Sequence, residues 1–317
     1  MSNEDDNPSK SKHRVFSLVA KGFCMGSADV IPGVSGGTMV FILGIYRELI
    51  DAIKSFDRIW VVSILKLEFV QIISRPHFKF LIPLFSGIIF ALIFFTRVVP
   101  LPLLLLQYPE QVYGLFFGLI LGSCFVLIRD VQHLTVKEIV VILCGVIPGL
   151  ILFNLGTISM PDTAVYVFLS GCLAISAMLL PGISGSFILL ILNKYTFIFN
   201  AIGYFNMSVI VPFAAGMATG LIIFSRILSW LMHRYLRNTT LVIIGILISS
   251  LWVIWPFQER VYESINDKQK LISSMPVLPD DVNSGLFISV GMMILGLVLV
   301  ILIDWIGKKK IKHSVEI

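Results

Sequence analysis

The sequence predicts an all-α polytopic membrane protein. It also predicts an inverted-topology repeat, in which each half is a re-entrant or broken helical hairpin followed by three transmembrane helices. Three observations support this fold class. Apolar residues make up 57% of the 317 residues and charged residues only 14%, whereas a soluble domain carries roughly 25% charged residues. Several apolar runs reach the roughly 20 residues that span a bilayer. The order of the predicted elements also recurs in the second half of the chain.

The predicted elements follow from hydropathy, and they divide the chain into two similar halves. The first repeat covers residues 15–155, with hairpin arms at 15–31 and 34–54, a surface amphipathic helix within 55–79, and spans at about 80–97, 112–128 and 138–154. The second repeat covers residues 156–307, with arms at 164–180 and 183–202, spans at about 209–230, 240–257 and 285–306, and an external loop at 258–284. Residues 1–14 are predicted to be a disordered cytoplasmic tail and residues 308–317 a basic cytoplasmic tail.

The internal similarity is clearest after each hairpin. "IPLFSGIIFALIFFTR" at 82–97 resembles "VPFAAGMATGLIIFSR" at 211–226, which aligns Gly87 with Gly216 and Arg97 with Arg226. Two matching Pro/Gly/Arg frames in the same order favour a true repeat over chance similarity between apolar helices.

Basic residues predict the orientation, because cytoplasmic loops of membrane proteins are enriched in Lys and Arg. If each hairpin returns to its own side, the second repeat starts on the face opposite the first. The predicted cytoplasmic segments then hold most of the basic residues, and the predicted outer segments hold only Arg97, Lys194, Arg260, Lys268 and Lys270. The sequence therefore predicts a multi-pass membrane protein with both termini in the cytoplasm. The net charge of +5 reflects this orientation and does not indicate a nucleic-acid partner.

Each predicted hairpin contains a polar, glycine-rich turn, "PGVSGGT" at 32–38 (the first motif) and "PGISGS" at 181–186 (the second motif). Irregular backbone at membrane depth has to line a cavity or be buried in protein, because lipid cannot satisfy its polar groups. The helix that starts after each turn offers unpaired N–H groups and a positive dipole end, which favour an anion. The candidate phosphate-binding residues are Gly33, Ser35, Gly36, Gly37, Thr38, Gly182, Ser184, Gly185 and Ser186. Close helix packing through the glycines is the alternative.

The two motifs and the whole-chain repeat resemble the PopT-type polyprenyl-phosphate transporters over about residues 15–306. The resemblance implies transport of undecaprenyl phosphate, the spent lipid carrier of cell-wall synthesis, from the outer to the inner leaflet. It implies a lipid partner and no enzymatic activity, and neither a cofactor nor a metal is expected. The oligomeric state stays open.

A second resemblance supplies a rival function. "PGVSGGT" is also similar to the PGxSRSxxT motif of the BacA-type undecaprenyl pyrophosphate phosphatases, but Gly36 and Gly185 stand where that motif has arginine. Phosphoryl transfer needs such charge stabilisation, so the departure favours carriage over hydrolysis. A small-anion transporter without a lipid substrate is a further alternative.

Charged residues inside apolar segments are costly and therefore candidates for function. Asp29 precedes the first motif and is a candidate for binding a coupling proton or sodium ion, and its counterpart in the second repeat is Met178. The alternative for Asp29 is a local cap or a partner for Lys21. Lys21 itself is expected either to contact the phosphate or to snorkel to the surface. Arg47 and Glu48 are expected either to gate the site or to form a surface pair.

Arg97 and Arg226 occupy equivalent places in the two repeats. Inversion puts one near each face of the membrane, where a guanidinium would bind phosphate as a fork. The alternative is that both anchor helix ends at the interface.

Overall fold

The structure is a computed structural model that describes residues 8–30, 35–99, 104, 107–131, 134–156, 158, 160–265, 268–279 and 284–315. Within these residues the chain forms helices and one two-stranded antiparallel sheet. The first-half helices are α1 (Pro8–Asp29), α2 (Gly36–Ile42), α3 (Tyr46–Lys54), α4 (Arg58–Leu65), α5 (Phe69–Ser74), α6 (Phe78–Arg97), α7 (Pro109–Asp130) and α8 (Val136–Phe153). The second half has α9 (Ala164–Leu179), α10 (Gly185–Ile191), α11 (Tyr195–Gly203), α12 (Met207–Arg234), α13 (Leu236–Val253), β1 (Gln258–Ile265), β2 (Lys268–Pro276) and α14 (Ser284–Val315).

Six helices in the described part of the chain are long and apolar enough to cross a membrane, namely α6, α7, α8, α12, α13 and α14. They coincide with the six spans that hydropathy predicts. The expectation of an all-α polytopic membrane protein is thus confirmed for the membrane-embedded part.

The chain divides into two compact units, and the first contains both motif hairpins, α1–α6 and α9–α12. In this unit α1 packs against α6 and α9 packs against α12. Both pairs are parallel, because contacts advance along both helices together. A Cβ on Gly22 would collide with the Leu84 carbonyl, and one on Gly26 would lie 2.8 Å from the Ile88 carbonyl. The same four-residue spacing recurs between α9 and α12. There Gly216 faces the Phe168 carbonyl and Gly220 faces the Cys172 carbonyl.

The second unit contains α7, α8, α13, α14 and the β-hairpin. In it α7 pairs with α14 through glycines. Gly118 faces the Met293 carbonyl, and four residues later a Cβ on Gly122 would lie 3.0 Å from the Leu297 carbonyl. This pair is therefore also parallel.

Helices α8 and α13 of the second unit form the other close pair. Gly145 of α8 faces the Val242 carbonyl and Gly245 of α13 faces the Ile142 carbonyl. Gly149 then lies against Ser249, so the contacts advance along both helices and this pair too is parallel.

The second arm of each hairpin, predicted at 34–54 and 183–202, consists of two short helices with a break between them. In the first hairpin this arm consists of α2 and α3, with Gly44 at φ +71° between them. In the second hairpin it consists of α10 and α11, with Asn193 at φ +53° between them. Glycine and asparagine tolerate this left-handed conformation, which ends a helix. The bend between α10 and α11 is 112°.

The predicted surface helix within 55–79 is two short helices, α4 and α5, because the chain reverses at Leu67 with φ +56°. Asp57 caps α4 by accepting a hydrogen bond from the Trp60 N–H at 2.9 Å, and it pairs with Arg75 at 2.6 Å. The hydrogen bonds from the Arg75 side chain lower the pKa of Asp57 to about 2. The exposed apolar side chains described in these helices are Ile59, Val62, Ile64, Leu65, Phe69, Val70 and Ile73.

The predicted ends and external loop also differ from the structure. Helix α1 begins at Pro8, inside the predicted tail 1–14, and Pro is favourable in a first helical turn. Helix α14 continues to Val315, so the basic tail is helical over its described part. The predicted loop 258–284 contains the β-hairpin, with Gln258 paired to Pro276 and Ile265 to Lys268. The repeat boundaries at 15–155 and 156–307 stay a prediction.

Candidate functional site

The structure brings the two motifs into direct contact within the first unit. The Gly182 N–H donates a buried hydrogen bond of 2.8 Å to Oγ1 of Thr38, which is 144 residues away in the chain. The Tyr46 hydroxyl adds a buried bond of 2.6 Å to the Leu179 carbonyl. Gly37 also needs to be small, because a Cβ there would lie 2.9 Å from the Met178 carbonyl oxygen. The motif residues therefore form one polar cluster inside an apolar unit.

Ser35 provides an unpaired polar group at this cluster. It is the N-cap residue of α2 with extended backbone angles, and only 3% of its surface is exposed. Its Oγ has no hydrogen-bond partner among the described residues. A buried hydroxyl without a partner costs free energy, so this group is poised for a ligand. Gly33, a further predicted phosphate ligand, lies outside the described residues.

Asp29 lies over the first turn of α2. Its Oδ1 accepts a hydrogen bond of 2.7 Å from the Gly36 N–H. A Cβ on Gly36 would be 2.6 Å from that oxygen and 2.7 Å from Cγ. A side chain at position 36 would therefore have to displace the Asp29 carboxylate.

The second motif has the same backbone plan with different chemistry. Ser184 is the N-cap residue of α10, and its Oγ lies 2.8 Å from Oγ of Ser186, so these two hydroxyls pair with each other. Gly182 adopts φ +93°, which a residue with a side chain would resist. A Cβ on Gly185 would lie 3.4 Å from Cβ of Met178. The nearest atom to that Cβ is the Ala174 carbonyl oxygen at 2.8 Å. Met178, the aligned counterpart of Asp29, thus also lies near the first turn of the helix that follows its motif.

The two arginines lie on equivalent helices of the first unit. Arg97 is the last residue of α6, whereas Arg226 lies well inside α12, and both are exposed. Among the described residues, neither forms a hydrogen bond or ion pair with either motif. Their role in receiving and releasing phosphate stays a prediction.

The other charged candidates lie on α1 and α3. Glu48 forms an ion pair of 2.7 Å with Arg14. The expected roles of Arg47 and Glu48, a surface pair with each other or a gate to the site, stay predictions. Arg47 is exposed, and Lys21 is partly buried and interacts electrostatically with Glu48. Arg14, Glu48 and Lys21 thus lie close together, and within the described part of the chain none of them forms a hydrogen bond or ion pair with a motif residue.

Lys194 is a buried charge that sequence reasoning did not select. It is 1% exposed, and its Nζ donates to the Met160 carbonyl at 2.6 Å and to Oδ1 of Asp162. It also lies 5.3 Å from the centre of the Phe197 ring. Its signal in the sequence is a lone lysine directly after Asn193, where the first repeat has Ile45 after Gly44. The hydrogen bonds of Lys194 thus link the segment before α9 to the bend of the second hairpin.

An apolar cavity of about 560 Å³ lies in the second unit between α7, α8 and α13, beside the chain that follows β2. Its lining is aromatic and aliphatic, with Ser249 as its one hydroxyl among the described residues. Phe117, Trp252 and Trp255 form much of the wall. Such a lining suits a hydrocarbon and provides no charged group for a phosphate.

Comparisons with known proteins agree with one another. Residues 25–272 match a family model described as undecaprenyl phosphate translocase-like. The chain is 35% identical over 255 residues to a polyprenyl-phosphate transporter of Vibrio cholerae, which covers 79% of this chain and 81% of that protein. It is also 30% identical over 258 residues to a polyprenyl-phosphate transporter of Staphylococcus aureus. That alignment covers 75% of this chain and 85% of the relative. No solved structure matches.

Proposed function

The chain belongs to the undecaprenyl phosphate translocase-like family, and from that premise we propose that it carries undecaprenyl phosphate from the outer to the inner leaflet of a bacterial inner membrane. The transported lipid would then be reused as a carrier in cell-wall synthesis. The relatives are named transporters, which supports a role other than that of an enzyme.

The observation that carries this proposal is the joining of the two motifs at the Thr38–Gly182 hydrogen bond, with the unpaired Ser35 hydroxyl beside it. Serine hydroxyls and first-turn N–H groups are donors, and phosphate oxygens are acceptors. The cluster is built from turns at the centre of two hairpins, where transporters place their substrate sites. We infer that the phosphate head binds here while the polyprenyl tail stays in lipid.

Helix packing supports an inverted repeat with both termini in the cytoplasm. In an inverted arrangement α7 and α14 cross the membrane in the same direction, and so do α8 and α13. A repeat without inversion would make both pairs antiparallel. The observed contacts advance in parallel along both pairs, and the distribution of Lys and Arg favours the same orientation.

Alternating access is the transport mechanism that this plan supports. The phosphate reaches the motifs from one face, and rearrangement of one repeat against the other opens the opposite face. Arg97 and Arg226 would bind the phosphate at the two ends of its path. Asp29 is the candidate for coupling to a proton or a sodium ion. Abolished ion dependence with retained substrate binding in Asp29→Asn would support that coupling, and wild-type ion dependence would contradict it.

Pyrophosphate hydrolysis and small-anion transport remain the alternative functions. Gly36 and Gly185 stand where the phosphatase motif has arginine, so the positive charge that stabilises phosphoryl transfer is missing from both motifs. A small-anion transporter would not need the apolar cavity of the second unit. Release of inorganic phosphate from undecaprenyl pyrophosphate by the purified chain would instead favour the enzyme.

The decisive experiment measures transbilayer movement of labelled undecaprenyl phosphate in liposomes that contain the purified chain. We expect movement in the wild type and a strong loss in the Ser35→Ala/Ser184→Ala double variant. A Ser86→Ala/Ser208→Ala variant is the matched control, because these exposed serines lie outside the motifs. No movement by folded protein under an ion gradient would refute the function. Equal lipid movement in all three proteins would support the transport function but would show that Ser35 and Ser184 are not part of the phosphate-binding site.

A further inference from the structure

A carboxylate already occupies the place where the first motif would bind an anion. Asp29 Oδ1 accepts the Gly36 N–H at 2.7 Å, and the carboxylate fills the space above the first turn of α2. This amide is one of the first-turn donors that the phosphate needs. The substrate and Asp29 therefore cannot both use it.

The surroundings of Asp29 show that the carboxylate fills this place only conditionally. Asp29 is the last residue of α1, where the negative end of that helix dipole disfavours a negative charge. Its residue surface is exposed, whereas Ser35 on the same turn is buried with an unpaired Oγ. The carboxylate thus satisfies the Gly36 N–H and leaves the Ser35 hydroxyl without a partner. A phosphate, with more acceptor oxygens, can satisfy both.

Few charges surround Asp29 on the elements packed against it. Helix α2 carries no ionisable residue, and α6 carries only Lys79 and Arg97, near its two ends. On its own helix Lys21 lies two turns earlier. Among the described residues Asp29 forms no ion pair, so no neighbouring cation holds it in the charged state.

The second motif has no carboxylate at the position that corresponds to Asp29. Met178 takes this position near Gly185, and a thioether does not compete with phosphate for an N–H donor. The internal anion is therefore one of the differences between the two motifs, beside the unpaired Ser35 hydroxyl and the paired hydroxyls of Ser184 and Ser186. A packing role for Asp29 would not require a charge at this place.

We propose that Asp29 is an internal competitor of the substrate phosphate. In the empty transporter its carboxylate holds the Gly36 amide. When phosphate binds, it replaces the carboxylate at the Gly36 amide, and Asp29 takes up one solvated proton from the aqueous phase, because two anions so close together repel each other. Substrate binding is thus linked to the uptake of one proton and not of a sodium ion. This inference rests on the proposed function, and it assigns a residue and a coupling ion to that site.

The test is the binding of undecaprenyl phosphate to the full chain in nanodiscs between pH 5 and pH 8.5. Asp29→Asn keeps an oxygen that accepts from Gly36 but removes the charge. We expect it to bind at least about tenfold more tightly than the wild type at pH 8, since like charges a few ångströms apart repel strongly. The phosphate itself titrates near pH 6. Asp29→Asn reports that ligand titration alone, and the wild type should lose additional affinity as pH rises.

Two further variants complete the design. Asp57→Asn is the matched control, because Asp57 lies outside the motifs and asparagine also caps helices. It should bind as the wild type does at every pH. Met178→Asp places a carboxylate over Gly185, and we expect it to weaken binding at pH 8 by about tenfold and to restore most of that loss at pH 5.

The outcomes separate this inference from the proposed function. If Ser35→Ala weakens binding but Asp29→Asn matches the wild type in affinity and pH profile, the site stands and the competitor role is refuted. Weaker binding in Asp29→Asn would make Asp29 a positioning residue, which also refutes it. A sodium requirement that Asp29→Asn abolishes would refute proton linkage. If Ser35→Ala and Asp29→Asn both bind undecaprenyl phosphate as the wild type does, the proposed binding site and the competitor role are both refuted.

Discussion

The hydrogen bond between the two motifs gives the sharpest prediction. In Thr38→Val the side chain keeps its shape and β-branching but loses Oγ1, the acceptor for the buried Gly182 N–H at 2.8 Å. An unsatisfied buried donor costs about 1 to 3 kcal/mol. Local opening at the second motif should become easier by that amount, so we expect the Gly182 amide to exchange about 5- to 150-fold faster. Hydrogen exchange read by mass spectrometry of the peptide that contains residue 182 measures this directly.

Thr38→Ser is the matched control for this experiment, because it keeps the hydroxyl and loses only a methyl group. We expect near wild-type exchange in Thr38→Ser, and transport that falls in Thr38→Val alone. Equal exchange at Gly182 in Thr38→Val and the wild type would refute the reasoning. It would mean that the amide finds another acceptor and that Thr38 does not join the two motifs energetically.

Three further predictions concern single positions. Gly36→Ala should displace the Asp29 carboxylate and lower the free energy of unfolding, measured in detergent, by about 1 to 3 kcal/mol. Gly291→Ala is the control, because Gly291 has open space around it, and its free energy of unfolding should change little. Arg97→Ala and Arg226→Ala should each reduce transport about tenfold or more if their guanidinium groups bind phosphate, and unaltered liposome transport in both would dismiss that role. Lys194→Met should leave the free energy of unfolding within about 1 kcal/mol of the wild type, because the desolvation cost of the buried charge disappears with its bonds. The segment before α9 should nevertheless exchange hydrogen faster, and unchanged exchange there would show that Lys194 does not fasten it.

The membrane-spanning helices were predictable because their signal is strong and local. Each of the six spans is a run of apolar residues long enough to cross a bilayer, and composition alone marks such runs. The two motifs were visible for the opposite reason, since Pro, Gly and Ser clusters interrupt otherwise apolar segments. Their location on hairpins followed from the charge pattern on either side.

The rest depended on contacts or on weak local signals. The bends at Gly44 and Asn193 rest on single residues that a long apolar run obscures, although their equivalent places in the two repeats are a usable signal. The β-hairpin forms from polar segments that hydropathy ignores. The Asp29–Gly36 bond and the burial of Lys194 depend on how the chain folds back on itself, and no local pattern encodes them.

The bond between Thr38 and Gly182 also has a consequence for biogenesis. The first unit is assembled from segments on both sides of α7 and α8, and its polar centre is complete only when the second hairpin has been inserted. At about 5 to 20 residues per second, the ribosome needs about 7 to 30 s to synthesise the intervening 144 residues. During that interval the nascent first hairpin holds polar backbone in the bilayer without its partner. A chain truncated after the first half should therefore be recognised by membrane proteases, and co-synthesis of the second half as a separate polypeptide should protect it.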